Sequence, residues 1–270
     1  MNQQGQILYL CNLHDKIDYE RHHLCTIRAD GSGSTDLTPS AKDITRGIDM
    51  NNAGQFVYEC YPAICLGTIN SDGSLAGEVQ EIAQDGARYY AYPSLNDRGQ
   101  MAFVCFDTAE GVDICAENLD QSNLVRLTKV TDGSISIYPV INDDGLIAYS
   151  CGSPDFSRVI DICVIRADGT AQRNLTDTQS LRYNRGQSMN NRGQMAFSCA
   201  TPEERIRSNI CAMNVDGSDW HQLTRHYGKT YYGSPSINGD GVIVYVCGVN
   251  LCIMNFDGSS QHQLTNFAGE

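Results

Sequence analysis

Short apolar runs alternating with glycine- and asparagine-bearing turns set the pattern of the whole chain. The runs at 7–10, 56–58, 101–104, 146–150, 195–198 and 242–246 are ILYL, FVY, MAFV, LIAYS, MAFS and VIVYV. Each is β-prone, too short for a buried helix, and reads as a strand covered on both faces. An asparagine stands ahead of every run, at Asn2, Asn51, Asn96, Asn142, Asn190 and Asn238, and each has a glycine three positions later and a cysteine nine positions later. Self-similarity in fixed register is the mark of a repeat architecture. A second cysteine (Cys25, Cys65, Cys115, Cys163, Cys211, Cys252) opens the next run. That run closes on turns such as Asp30-Gly31, Asp168-Gly169, Asp216-Gly217 and Asp257-Gly258, where glycine supplies the positive φ of a tight hairpin. A last short strand ends in Leu-Thr at Leu37-Thr38, Leu127-Thr128, Leu175-Thr176, Leu223-Thr224 and Leu264-Thr265, with Ile82-Ala83 in the second copy.

Each copy therefore holds four strands, A to D, with A ending at the asparagine, B at the first cysteine, C starting at the second, and D ending at Leu-Thr. Helical periodicity is absent. Four-stranded units recurring every ~45 residues predict an all-β fold, a six-bladed β-propeller of four-stranded antiparallel blades, as a single domain over 1–270. The motif from Pro235 to Thr265, Pro-Ser-x-Asn-x-x-Gly followed by Ile/Leu-Cys, Asp-Gly-Ser and Leu-Thr elements, resembles the TolB-type propeller repeat, and the resemblance runs over almost the whole chain. That family commonly places Trp-Ser-Pro-Asp-Gly at the A–B turn. Here Asn-x-x-Gly stands there, and the cysteine pairs are an addition. The resemblance implies the propeller fold; the departures bear on the family's docking to a peptidoglycan-associated lipoprotein.

Composition narrows the function classes. At 270 residues and 41% hydrophobic the chain can bury a substantial core. A net charge of −13 argues against a nucleic-acid partner, which calls for a basic footprint. No apolar run is long enough to span a membrane. Residues 1–6 lack the basic end and apolar stretch of a signal peptide, so Met1 is expected to begin a mature or recombinant form. Twelve cysteines point to pairing in an oxidising compartment and so to a secreted, cell-surface or periplasmic protein. The gaps within the pairs, 13, 4, 9, 11, 11 and 4 residues, do not keep metal-site spacing. What is kept is the position at the end of B and the start of C. Cross-strand disulfides Cys11–Cys25, Cys60–Cys65, Cys105–Cys115, Cys151–Cys163, Cys199–Cys211 and Cys247–Cys252 are expected, each at a directly facing, non-hydrogen-bonded pair.

The loops beyond these staples, 12–24, 61–64, 106–114, 152–162, 200–210 and 248–251, vary in length and sequence. In a propeller they share a face with the D–A connections, and variation on a rigid scaffold marks recognition. On the same face, Tyr89, Tyr183 and Tyr231 fall seven residues before their asparagines, with Arg88, Arg182 and Lys229 beside them. They form a candidate site for a carboxylate-bearing or sugar ligand; the competing reading packs the tyrosines between blades. His14, His22 and His23 in the longest loop could ligate a metal or simply be solvated, while His221 and His262 recur in the repeat and read as structural. Trp220 reads as packing. Nucleophile elbows, zinc-protease motifs, phosphate loops and EF-hand loops are missing, and no cofactor or metal is called for.

The leading expectation is a non-catalytic extracytoplasmic binding or scaffold protein recognising a protein or glycan. The alternatives are a polysaccharide-active lyase or hydrolase using the channel mouth and a structural subunit of an extracellular assembly. Five inner strands can be counted for six copies, so the first blade is expected to have three strands. Its inner edge would be open to self-association by strand donation.

Overall fold

The computed structural model describes residues 2–11, 23–38, 47–83, 89–107, 111–130, 134–152, 160–176, 184–200, 208–225 and 231–266. All regular structure among them is β, and the strands form successive antiparallel meanders. The chain divides into two compact units, Met1–Lys129 and Val130–Glu270.

The first unit opens with a three-stranded meander, β1 (Gln6–Cys11), β2 (His23–Arg28) and β3 (Thr35–Asp36). Four strands follow: β4 (Ile48–Met50), β5 (Gln55–Cys60), β6 (Ala63–Thr68) and β7 (Gln80–Ile82). A third meander comprises β8 (Tyr89–Leu95), β9 (Gln100–Asp107), β10 (Gly111–Asn118) and β11 (Val125–Arg126). The second unit holds β12 (Ile135–Ile141), β13 (Leu146–Gly152), β14 (Ile160–Arg166) and β15 (Arg173–Asn174). It continues with β16 (Arg185–Met189), β17 (Gln194–Cys199), β18 (Asn209–Asn214) and β19 (His221–Gln222). The last meander is β20 (Tyr232–Ile237), β21 (Val242–Cys247), β22 (Asn250–Asn255) and β23 (His262–Gln263).

Within each unit, apolar side chains meet between the faces of successive meanders. Val57 and Ile64 of the second pack against Tyr90, Met101, Phe103 and Cys115 of the third; Ile162 and Val164 pack against Phe197, Cys211 and Met213. This two-sided burial explains why the B strands are apolar at consecutive positions instead of alternating.

Each A–B turn is built by its asparagine. Asn51 Oδ1 accepts from the amides of Ala53 (3.1 Å) and Gln55 (3.0 Å), and Asn190 Oδ1 does the same for Arg192 and Gln194 (both 3.0 Å). The side chain thus mimics a backbone turn. The next position ties turn to turn: Asn52 Oδ1 accepts from Gln3 N (2.8 Å), and Asp97 Oδ1 from Asn52 N (2.7 Å). In the C–D turns, Asp30, Asp72, Asp120, Asp168, Asp216 and Asp257 accept from the residue two positions on, and those hydrogen bonds hold all six carboxyls below the ordinary range. Where the third meander lacks the glycine of this turn, Gln121 takes the left-handed conformation at φ 64°.

Two features depart from the sequence expectation. The structure joins each cysteine pair, with Cα separations of 5.6–5.9 Å, but partners are diagonal and not directly facing. Cys105 opposes Asp113 while Cys115 opposes Phe103, and the other pairs for which both strands are described show the same two-residue offset. Strand twist draws one diagonal of a hairpin together, which lets the bridge form there. Second, inner strands carry a bulge four residues before the asparagine, where Gly47, Tyr92, Tyr138, Gly186 and Ser234 all have positive φ. The register shift is resolved in β8, β12, β16 and β20.

Candidate functional site

The hairpin bases that carry the B–C loops are tied by a polar pattern that recurs in most repeats. The residue two before the second cysteine meets the threonine that ends strand D. Thr128 Oγ1 accepts from Ile114 N (3.0 Å) and donates to Asp113 Oδ1 (2.7 Å). Thr176 stands likewise between Ile162 N (2.9 Å) and Asp161 (2.9 Å). Thr38, Thr224 and Thr265 accept from Leu24, Ile210 and Leu251. Asp113 is wholly buried, and both Arg126 Nε (2.8 Å) and Nη2 donate to it. The sequence reading noted Leu-Thr as a strand end and missed this role. The matching positions of Asp113, Asp161, Asn209 and Asn250 were the available signal.

Above these clamped bases, the first unit presents an aromatic cluster. The hairpin between β5 and β6 turns through Tyr61 and Pro62, since Cys60 pairs directly with Ala63. The carbonyl of Pro62 accepts from Tyr90 N at 3.1 Å, docking the hairpin onto the start of β8. There Tyr61 lies 5.0 Å from Tyr89, centroid to centroid, and Tyr89 lies 5.0 Å from Phe106, its cross-strand partner. Tyr61 is 71% exposed, so the cluster ends in a ring offered to solvent. Rigid, amphipathic rings of this kind dominate recognition surfaces.

Of the sequence-derived candidates, the structure thus brings Tyr89 together with Tyr61 and Phe106, neither of which was singled out. Tyr231 belongs to the second unit and is 37% exposed. Its carbonyl accepts from Gly248 N (2.7 Å), and its ring covers Gly233, where a Cβ would come within 2.2 Å of Tyr231 Oη. Tyr183, Arg88, Arg182 and Lys229 lie outside the described residues.

His14 and His22 also lie outside the described residues, while His23 Nδ1 is 2.8 Å from Asp36 Oδ2. No group of three metal-ligating side chains occurs among the described residues. His221 bridges the carbonyls of Asp219 (2.7 Å) and Phe256 (3.1 Å), and His262 meets that of Ser260 (2.9 Å). Trp220, expected as packing, is 40% exposed.

Two carboxylates tether the second meander to the third. Glu59 accepts from Tyr92 N (2.8 Å) at the bulge, and Asp49 accepts from Leu95 N (2.8 Å) and the Ser94 hydroxyl (3.0 Å). Burial pushes the Asp49 carboxyl up, against the pull of those hydrogen bonds. They hold the inner strands in place beneath the aromatic cluster.

No protein-family model and no curated protein sequence matches the chain. Solved structures do. An oligogalacturonate lyase from Vibrio parahaemolyticus aligns over 100% of this chain and 77% of its own, with a TM-score of 0.74 and 11% identity. TolB from Acinetobacter baumannii aligns over 94% and 62%, with a TM-score of 0.66 and 17% identity. A nidogen/laminin complex aligns over 95% and 92%, with a TM-score of 0.63 and 13% identity. At such identities the likeness carries the architecture alone: this chain is an all-β protein with the propeller-like arrangement of antiparallel sheets that TolB and the lyase share.

Proposed function

We propose that the chain forms a single six-bladed propeller domain that works outside the cytoplasm as a non-catalytic binding or scaffold protein, recognising a protein or glycan through the face bearing the B–C and D–A loops. The observation that carries this reading is the Tyr61–Tyr89–Phe106 cluster, whose outer ring is exposed although its hairpin is closed by a disulfide and docked on the neighbouring strand. A surface aromatic held this firmly costs little conformational entropy on binding. Six disulfides suit an oxidising, secreted, surface or periplasmic setting.

The test is a glycan array together with a pull-down from native extract, each run with wild type and Tyr61→Ala. Because Tyr61 is mostly exposed, the variant should melt within about 2 °C of wild type while losing at least tenfold in affinity for whatever partner is captured. Unchanged affinity in Tyr61→Ala would remove the aromatic cluster from the site.

A further inference from the structure

The edge bearing the A–B and C–D turns carries a second feature, unrelated to the aromatic cluster. Between the first two meanders of the second unit lies a surface cleft of about 500 Å³ lined by Arg166, Arg173 and Arg192, with Asn142, Gln172 and Asn191 among its polar walls. Arg166 ends β14, Arg173 begins β15, and Arg192 sits in the turn before β17. Two turns, the one joining β14 to β15 and the one before β17, therefore deliver three guanidinium groups to one opening in a protein of net charge −13.

Two of the three, Arg166 and Arg173, make no close ion pair with a carboxylate among the described residues. Arg166 Nη1 donates to the carbonyl of Asp144 (3.4 Å), and Arg173 Nη2 to that of Val215 (3.2 Å). Arg192 pairs with Asp240 at 3.1 Å, where both side chains are well exposed and the attraction is weak. A guanidinium has five N–H donors in a planar fork, so one bond to a carbonyl leaves most of the fork available. Asp144 is the single acidic residue in the lining. The nearest acidic turns, Asp168 and Asp216, keep their negative charge and attract Arg166 and Arg173 through space, but their Oδ1 atoms are engaged by Thr170 and Ser218 and neither forms an ion pair with the arginines.

An internal control comes from the first unit. A cleft of about 700 Å³ occupies the corresponding place there, lined by Gln55, Leu66, Arg98, Gly99, Gln100, Asn118, Leu119 and Asp120. Arg98 matches Arg192, but Thr68 and Gln80 stand at the positions of Arg166 and Arg173. Both units have the cleft, but only the fourth copy has arginine at both positions; Arg28 of the first copy matches Arg166, and Thr35 there stands in the place of Arg173.

We propose that the Arg166–Arg173–Arg192 cleft binds a compact polyvalent oxyanion, a di- or tricarboxylate or a phosphate compound. Planar forks match both chemistries bidentately, and Gln172 and Asn191 each carry a second amide hydrogen beyond the one given to Tyr149 or Asp143. Compactness follows from the surrounding charge. Screening confines the field to about 8 Å at physiological salt, so a small anion inside the cleft meets the arginines, whereas a long polyanion would run over Asp168, Asp216 and Asp240.

Titration calorimetry with citrate and with pyrophosphate, against sodium chloride at equal ionic strength, tests this on wild type and on the Arg166→Gln/Arg173→Gln pair. Citrate or pyrophosphate should bind with a dissociation constant below about 1 mM, equivalent to roughly 4 kcal/mol, and the double variant should lose at least tenfold. Binding by citrate alone assigns the carboxylate source, and binding by pyrophosphate alone the phosphate source. Three results would overturn the proposal: no saturable heat with either anion, equal affinity in the double variant, or tighter binding of long polyglutamate than of citrate.

Discussion

The second and third meanders close the same hairpin in opposite ways. At the base of the third, a wholly buried Asp113 is met by Arg126 and Thr128. At the base of the second, Ala63 and Ala83 stand at the positions of Asp113 and Thr128, each at most 4% exposed, while Glu81, at the position of Arg126, is exposed and has no buried carboxylate to meet. Both hairpins carry a disulfide at the same offset. The contrast shows that this hairpin base can be closed either by apolar side chains or by a buried polar group that is paired, and that the paired version adds sensitivity without being needed for the architecture.

The largest effect expected from this contrast is that of Asp113→Ala. It removes the buried carboxylate to which Arg126, only 10% exposed, donates twice, and should cost about 3–5 kcal/mol in chemical denaturation. The double variant Asp113→Leu/Arg126→Met copies the apolar solution and should recover most of that loss. If the single change costs under 1 kcal/mol, the two bases do not differ as described.

A smaller effect is expected from Thr128→Val, which removes the acceptor of the Ile114 amide and should cost about 1–2 kcal/mol. The reciprocal Ala83→Thr in the second meander should also destabilise. Ala83 has φ 50°, where a β-branched residue is strained. A gain in melting temperature from Ala83→Thr would show that the polar clamp transfers and would erase the contrast.

The smallest expected effect concerns the position two after the second cysteine. Gly67 stands there in the second meander, where a Cβ would come within 2.3 Å of the Phe56 ring, and Glu117 stands there in the third. Glu117 is 7% exposed, and its Oε2 has no hydrogen-bond partner among the described residues. Burial, with help from Asp120, raises its pKa above the ordinary carboxylate range. A carboxyl raised in the folded state favours folding fully below its unfolded pKa and loses that contribution as pH rises through the folded value. Glu117→Met, the residue found at the matching Met213 and Met254, should therefore stabilise by about 1 kcal/mol at pH 7. That gain should shrink as pH falls into the carboxylate range, which melting curves from pH 7 to 4 would measure. A gain independent of pH would place the benefit in packing alone.

Much of this was legible along the chain. Asn51 and its five counterparts, the cysteine pairs and the Leu-Thr ends repeat because local turn geometry and strand ends demand them, and local demands leave periodic marks. The diagonal offset of Cys105 and Cys115 was not legible, because strand twist has no residue signature. Nor were the bulges at Tyr92, Tyr138 and Ser234 read. Three of the five bulge positions precede proline (Pro93, Pro139, Pro235), which was a usable signal.

By itself the sequence determined the repeat, the β-strands, the partner of every cysteine and the turns, since each depends on residues close together or recurring in register. Tertiary structure alone decided that Tyr61 lies on Tyr89 and that Arg192 shares a cleft with Arg166 and Arg173. Those contacts join residues that no periodicity links. They exist because meanders stacked face to face bring particular side chains into reach, and reach is a property of the folded chain.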